Sequence, residues 1–283
     1  MLVIGNDIVD LADHGNKGKF RDRRFRDRVF TTEEGRRIDA APDPDAMLWT
    51  LWAAKEAAFK AAVKLRPGLG FIPRSYRVLT LRGNASTGGS SKAANSGNPW
   101  EVLLSDDGIE VRNRDDRRYQ YPLFHNKGEG NTEPGWNTPP LLSQESAEGA
   151  AASAEQYGSI DTPAGCLDLV SWISSKRAHC LAAGSRGHNG RGASPSPSIQ
   201  VREEERTASF DPSAAVRRAA IHHLASTLRT SPYYLDIRRV GTSRDPHGPP
   251  RVFLYGRQTD IDISLSHDGA YIAFAVNINQ PCS

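Results

Sequence analysis

Residues 46–64, AMLWTLWAAKEAAFKAAVK, limit the fold of this chain more than any other segment. They are dense in Ala, Leu, Lys and Glu, all strong helix formers, and Pro67 and Gly68 follow as a stop signal. At about 100° per residue, the large apolar residues form a narrow stripe and alanines cover most of the opposite side. Because alanine lets a helix backbone approach a sheet closely, the pattern predicts a long helix packed on β-strands.

Strand-forming segments accompany this helix on both sides. Residues 2–11 form the first, and others are predicted at 75–81, 100–106, 119–124, 168–174 and 176–183. Near the C-terminus, a strand at 198–204 precedes a helix at 212–228, whose Pro212 suits a first turn. Four more strands are predicted at 234–240, 251–255, 262–267 and 269–278. We therefore predict an α+β fold.

Composition divides the chain into two parts. Residues 83–98 and 126–165 are rich in small and polar residues and bury too little apolar surface, so we predict flexible insertions there. Residues 183–198 have the character of a linker. The predicted parts are therefore residues 1–182 and 199–283.

Several protein classes fit the composition poorly. Lys and Arg exceed Asp and Glu by only +3, which does not by itself indicate a nucleic-acid partner. The three cysteines lack CxxC spacing, so a disulfide framework or a zinc site is not expected. The chain has no apolar stretch of membrane-spanning length and no secretory signal pattern. We expect a cytoplasmic protein with no nucleic-acid or membrane partner.

Three groups are candidates for chemistry. Glu56 lies at the edge of the apolar stripe with Lys60 one turn further on, which is either an ordinary helical ion pair or half of a functional site. The functional alternative needs a second acid, and Asp7 on the buried N-terminal strand is the candidate. Ser266-His267, at a strand end before a tight turn, are either ligand-contacting or simply turn residues.

Four segments resemble the 4′-phosphopantetheinyl transferase family and follow that family's order. The family patterns are G-x-D-[IV]-[VE], RF…RVFT-x-EE, W-x-x-K-E-[AS]-x-x-K and Ser-His. They correspond to GNDIV at 5–9, RFRDRVFTTEE at 24–34, WAAKEAAFK at 52–60 and Ser266-His267. The similar regions cover about half of the chain and omit both predicted insertions.

The resemblance implies a fold made of two α+β halves. Longer family members contain both halves in one chain, and here they are expected in swapped order, with the metal-bearing half first and the coenzyme A-binding half second. We expect this pseudo-dimer to act as a monomer with one site between its halves. Two positions depart from the longer members. Val9 replaces a usual acid, as in the short holo-acyl-carrier-protein synthases, and Pro249 replaces the base of a G-[KR]-P motif.

The resemblance also implies a reaction and residue roles. The phosphopantetheine arm of coenzyme A passes to a serine of an apo acyl or peptidyl carrier protein, with release of 3′,5′-ADP, in fatty acid, polyketide or peptide synthesis. Asp7 and Glu56 are the expected Mg²⁺ ligands, and Glu56 and Lys60 the catalytic pair. Ser266, His267, Lys60 and Arg251 are expected to bind coenzyme A. Asp10 is expected to be solvated on the opposite face of the strand.

The basic segment 17–28, KGKFRDRRFRDR, has three interpretations. It is either a solvated helix face, a docking site for an acidic carrier protein, or a clamp on the phosphates of coenzyme A, and docking is the hypothesis for the carrier protein. A catalytically silent relative that binds coenzyme A or acts as a scaffold is the main alternative for the whole chain. An active enzyme is favoured over a silent relative, because the chain has Asp7, Glu56 and Lys60 together. GGSSK at 88–92 lacks P-loop spacing, which excludes a nucleotide triphosphatase of that class.

Overall fold

A computed structural model describes residues 2–83, 100–105, 108–113, 154–173, 176–185, 199–205, 211–241 and 248–278. The helices are α1 (Arg23–Val29), α2 (Thr32–Ala40), α3 (Pro44–Leu65) and α4 (Pro212–Thr227). The strands are β1 (Leu2–Asp10), β2 (Arg77–Gly83), β3 (Trp100–Ser105), β4 (Gly108–Asn113), β5 (Ala154–Thr162), β6 (Gly165–Ile173), β7 (Arg177–Ser185), β8 (Ile199–Glu205), β9 (Leu235–Arg239), β10 (Pro250–Leu254), β11 (Arg257–Gln258), β12 (Asp262–Asp268) and β13 (Tyr271–Asn277). Short 3-10 turns occur at His14–Asn16, Lys19–Arg21, Pro73–Ser75 and Pro232–Tyr234. The mixture of helices and antiparallel sheets confirms the α+β prediction.

The first part consists of α1–α3 and a five-stranded antiparallel sheet of order β1-β7-β6-β5-β2. Helix α3 packs across this sheet through its alanine side, as the sequence pattern predicts. Six alanines of that side are fully buried: Ala53, Ala54, Ala57, Ala58, Ala61 and Ala62. Asp43 caps the helix by accepting a hydrogen bond from the Ala46 N–H. The helix therefore begins two residues earlier than predicted.

Gly5 permits the close contact between β1 and α3. A Cβ atom at this position would lie 2.0 Å from the Ala57 carbonyl oxygen and 2.7 Å from the Ala61 nitrogen. Both atoms belong to the helix backbone, which cannot rotate away as a side chain can. Glycine is therefore needed two residues before Asp7 because the helix carrying Glu56 and Lys60 crosses the strand there.

A buried ion pair ties α2 and α3 to β2. The Lys55 ammonium lies 2.8 Å from Glu34 Oε1 and also donates to the carbonyl oxygens of Pro73 and Tyr76. Glu34 also accepts from the N–H of Val78, and it completes a capping box with Thr31, the N-cap of α2. Lys55 therefore acts as a structural residue of the helix motif, since both charged groups are almost fully buried.

The second part resembles the first in the order of its elements, although its described residues form one α-helix where the first part has three. A strand (β8) precedes a helix (α4), and the last strand (β13) pairs antiparallel with the first, as β7 pairs with β1. Its strands form a sheet of order β12-β13-β8-β4-β3 and a three-stranded sheet of order β11-β10-β9. Apolar residues of α4, including Val216, Ala220 and Leu224, pack between these sheets.

Strands β1 and β12 join the two parts through a side-chain ladder. β1 is an edge strand, so alternate N–H groups along it point away from its own sheet. Side chains at alternate positions of β12 accept these hydrogen bonds. The donor and acceptor pairs are Ile4–Asp262 (2.7 Å), Asn6–Ser264 (2.9 Å), Ile8–Ser266 (3.1 Å) and Asp10–Asp268 (2.8 Å).

The structure corrects several predicted boundaries. Strand β5 lies within the predicted insertion 126–165 and pairs with both β2 and β6, because neighbouring strands can bury a segment of modest hydrophobicity. Strand β7 extends to Ser185, into the predicted linker 183–198. Strands β3 and β4 join the sheet of the second part. The rest of both insertions, most of the linker and the predicted strand 119–124 lie outside the described residues.

Candidate active site

A cavity of about 660 Å³ lies between the two parts of the molecule. Helix α3 forms one wall, and α4, β9, β10 and β12 supply the opposite side. Asp7, Glu56 and Lys60 line it together with Ser266 and His267. The tertiary structure therefore brings together the predicted groups from strand 2–11, helix 46–64 and the C-terminal hairpin.

Asp7 is buried at the point where the two parts meet, with 7% of its surface exposed. Its Oδ1 atom accepts hydrogen bonds from Lys60 Nζ and from Ser266 Oγ, each 2.7 Å away. Lys60 also donates to the Asn6 carbonyl oxygen at 3.0 Å. Asp7 is thus held from both sides, by the helix of its own part and by the strand of the other.

Glu56 is a partly buried carboxyl group beside a second acid. Burial is the main cause that raises the pKa of Glu56 from 4.5 to about 7; the negative charge of Asp7 contributes to the rise, and Lys60 opposes it. A carboxyl group with this pKa exchanges its proton near neutral pH. The pair of carboxylates therefore favours a proton or a cation between them.

The donor set fits a hard divalent cation. Oxygen ligands suit Mg²⁺, which binds to proteins through one or two carboxylates and keeps several waters or substrate oxygens. Within the described ranges, no group of three or more His, Cys, Asp or Glu side chains is placed to hold a metal ion. Asp7 and Glu56 line the same cavity and are the two carboxyl groups that could hold Mg²⁺ there.

Lys64 forms its hydrogen bonds and its salt bridge at the junction between the two parts. It forms a salt bridge with Asp262 at 2.8 Å and donates to the Ile4 and Ile263 carbonyl oxygens. Burial lowers the pKa of the Lys64 ammonium, while Asp262 opposes the decrease. Lys64 therefore stabilises the β1–β12 junction although it borders the cavity.

Arg251 borders a different cavity from the other predicted site residues. It lines a neighbouring space of about 300 Å³, together with Lys64 and Thr259. Its role in binding coenzyme A stays a prediction.

Two arginines that the sequence analysis did not select line the main cavity. Arg217 projects from α4, and Arg239 ends β9 directly opposite Pro250 of β10. The adjacent pair Arg217-Arg218 in the predicted helix 212–228 could have indicated Arg217 as a site residue. The position of Arg239 depends on strand pairing, which the sequence alone does not give.

Asp10 is a structural residue, so its predicted solvation is wrong. It is only 6% exposed, and its carboxylate accepts hydrogen bonds from the N–H groups of Ala12 and Ala270. The turn residue Gly269, at φ +50°, lies so close that a Cβ there would be 2.3 Å from Asp10 Oδ2. Asp10 therefore fixes the hairpin that follows His267. Its neighbour Asp268, which accepts from the Asp10 N–H, has a pKa raised by burial.

Comparison with known proteins relates the first part of the chain to one family. A sequence model of the 4′-phosphopantetheinyl transferase superfamily matches residues 3–104. This region of the chain is therefore similar to that superfamily. A holo-[acyl-carrier-protein] synthase of Jannaschia sp. (strain CCS1) is 41% identical over 81 residues, which is 28% of this chain and 53% of the relative. The chain thus spans about half the length of this curated relative, and no solved structure shows significant similarity to it.

The superfamily match covers one side of the cavity. Residues 3–104 include Asp7, Glu56 and Lys60, whereas Ser266 and His267 lie outside them. The protein therefore completes its cavity with residues beyond the matched region. None of its described helices has the length and apolar character needed to cross a membrane.

Proposed function

We propose that the protein transfers the 4′-phosphopantetheine arm of coenzyme A to a serine of an apo acyl or peptidyl carrier protein. The observation that carries this proposal is the Asp7–Glu56 pair, which faces cationic side chains across one cavity. Phosphoryl transfer needs opposite charges around a pyrophosphate and a group that removes a proton from the nucleophile. Mg²⁺ held by Asp7 and Glu56 would neutralise the pyrophosphate charge. The second product would be 3′,5′-ADP.

Glu56 and Lys60 have separate roles in this proposal. Glu56 accepts the proton of the carrier serine as the general base. Lys60, whose ammonium already contacts Asp7, neutralises charge on the departing phosphate oxygen. Both side chains are placed by one helix, four residues apart.

We assign the phosphate-rich end of coenzyme A to the cationic side of the cavity. His267 is exposed at its border, and Arg217 and Arg239 line the same space. Arg239 pairs across strands with Pro250, next to Pro249. It is therefore placed to replace the base that the G-[KR]-P motif lacks in this chain.

We also propose that the two parts are halves of a pseudo-dimer in swapped order and that the protein acts as a monomer. The repeated strand–helix–strands succession and the equivalent pairings of β1 with β7 and β8 with β13 support this proposal. The cavity already receives residues from both halves. Sedimentation analysis is expected to give one chain per particle, and an obligatory trimer would contradict it.

Segment 17–28 is our proposed docking surface for the carrier protein. Arg23, Arg24 and Arg28 of this segment are exposed, and the Arg23 side chain retains 93% of its accessible surface. The double variant Arg23→Glu/Arg24→Glu is expected to weaken carrier affinity and reduce its salt dependence. Arg257→Glu, an exposed charge reversal in the second part, is the matched control. Unchanged affinity in the double variant would argue against docking there.

Intact-mass analysis tests the proposed reaction directly. The protein is incubated with coenzyme A, Mg²⁺ and a panel of apo-carrier proteins, and the mass of one phosphopantetheine should appear on a carrier. Glu56→Gln, which removes the ionisable oxygen, is expected to abolish the addition. If no carrier gains mass while coenzyme A still binds, the silent-relative alternative is favoured.

A further inference from the structure

Ser266 occupies a special position in the side-chain ladder between β1 and β12. Its hydroxyl accepts a hydrogen bond from the Ile8 N–H at 3.1 Å and donates one to Asp7 Oδ1 at 2.7 Å. The residue is 5% exposed. Ser264, two residues earlier on the same face of β12, accepts from the Asn6 N–H at 2.9 Å in the equivalent way. The contact with a carboxylate therefore distinguishes Ser266 from its neighbour.

The chemistry of the hydroxyl fixes the direction of this contact. A serine has one hydrogen to donate, and an ionised carboxylate can only accept. Because the Ile8 N–H occupies one lone pair of Ser266, its O–H is directed at Asp7. Lys60 donates to the same Oδ1 atom from the opposite part of the site. The two donors on one oxygen together fix the orientation of the Asp7 carboxylate.

We infer that Ser266 is a positioning residue that orients Asp7 for the divalent cation. This inference rests on the metal role of Asp7 in the proposed function, and it replaces the expected direct contact of Ser266 with coenzyme A. Hydrogen bonds from outside the metal shell fix the orientation of ligating side chains, and their loss typically weakens metal affinity about 10–100-fold. The second part thus contributes to metal binding although both assigned ligands belong to the first.

Binding of Mn²⁺, measured by electron paramagnetic resonance without coenzyme A, tests the inference. Ser266→Ala is expected to weaken Mn²⁺ affinity about 10-fold or more, as for other outer-shell hydrogen bonds. Ser266→Thr, which retains a hydroxyl, is expected to restore most of that affinity. Ser264→Ala is the matched control, since it removes an equivalent bond between the strands without touching Asp7. It is expected to change the affinity less than about two-fold.

Each outcome bears on the inference. Wild-type affinity in Ser266→Ala, an equal loss in Ser264→Ala, or no Mn²⁺ binding by the wild type would overturn it. If Ser266→Ala does not fold, Ser266→Cys keeps the size but donates weakly, and unchanged affinity in that variant would overturn the inference equally. Carrier modification by the wild type is measured separately. If the wild type does not modify a carrier but Ser266→Ala still binds Mn²⁺ more weakly, the proposed reaction is rejected and the positioning role of Ser266 is supported.

Discussion

Glu56 is expected to make the stability of the protein fall as the pH rises. Its carboxyl group has a pKa of about 7 in the folded protein, against 4.5 for an unperturbed glutamate. The folded state therefore holds more protons than the unfolded state between these values. The corresponding stability is fully present below pH 4.5 and is lost as the pH rises through about 7.

The expected magnitude follows from the pKa shift. The difference of about 2.5 pH units corresponds to about 3.5 kcal/mol at about 1.4 kcal/mol per unit. Most of this free energy, about 2–3 kcal/mol, changes between pH 5 and pH 8. Glu56→Gln has no proton to lose at this position. Its free energy of unfolding should therefore decrease less than that of the wild type over the same interval.

Urea denaturation at pH 5 and pH 8, with a chelator present, measures the difference. Glu33→Gln, which changes an exposed glutamate of α2, should follow the wild type. Mg²⁺ added at pH 8 should stabilise the wild type but not Glu56→Gln, because a cation replaces the missing proton between the two carboxylates. Identical pH dependence in wild type and Glu56→Gln would refute the reasoning about this acid pair.

Three further variants test the architecture of the site. Gly5→Ala places a Cβ against the backbone of α3 and should lower the free energy of unfolding, measured by urea titration, by about 3 kcal/mol. Gly70→Ala is the control, because position 70 has open space around it, and it should change the free energy of unfolding by less than about 0.5 kcal/mol. Lys55→Met leaves a buried glutamate unpaired and should destabilise by about 3–5 kcal/mol in the same assay; a smaller loss than for Gly70→Ala would contradict its structural role. Arg239→Ala should weaken coenzyme A binding about tenfold by calorimetry, and an effect smaller than that of Arg251→Ala would show that the neighbouring cavity holds the phosphates.

The local elements and the chemical groups were largely predictable from the sequence. Alanine periodicity identified α3 and the side that contacts the sheet, and Pro212 marked the first turn of α4. The spacing of Glu56 and Lys60 also placed them on one helix. These features depend on neighbours a few residues apart, which is the range over which helical periodicity and capping act.

Segments of weak pattern were not assigned reliably. Segment 19–30 reads as one helix, but Asp22 interrupts it, with a 3-10 turn before it and α1 after it. Strand β5 carries few large apolar residues and is a strand because β2 and β6 pair with it on both sides. Backbone pairing of this kind adds stability that no count of hydrophobic residues records.

The sequence by itself determined which groups are available: the acid on a buried strand, the acid and lysine on a helix, and the serine and histidine before a turn. Only the tertiary structure decided what each group does, because the deciding contacts join residues about 260 positions apart. The side chains of β12 accept N–H groups of β1, and this register sets Ser266 against Asp7 and buries Asp10 under the hairpin. Strand pairing likewise places Arg239 opposite Pro250. Those contacts depend on how two surfaces meet, and local periodicity carries no information about that.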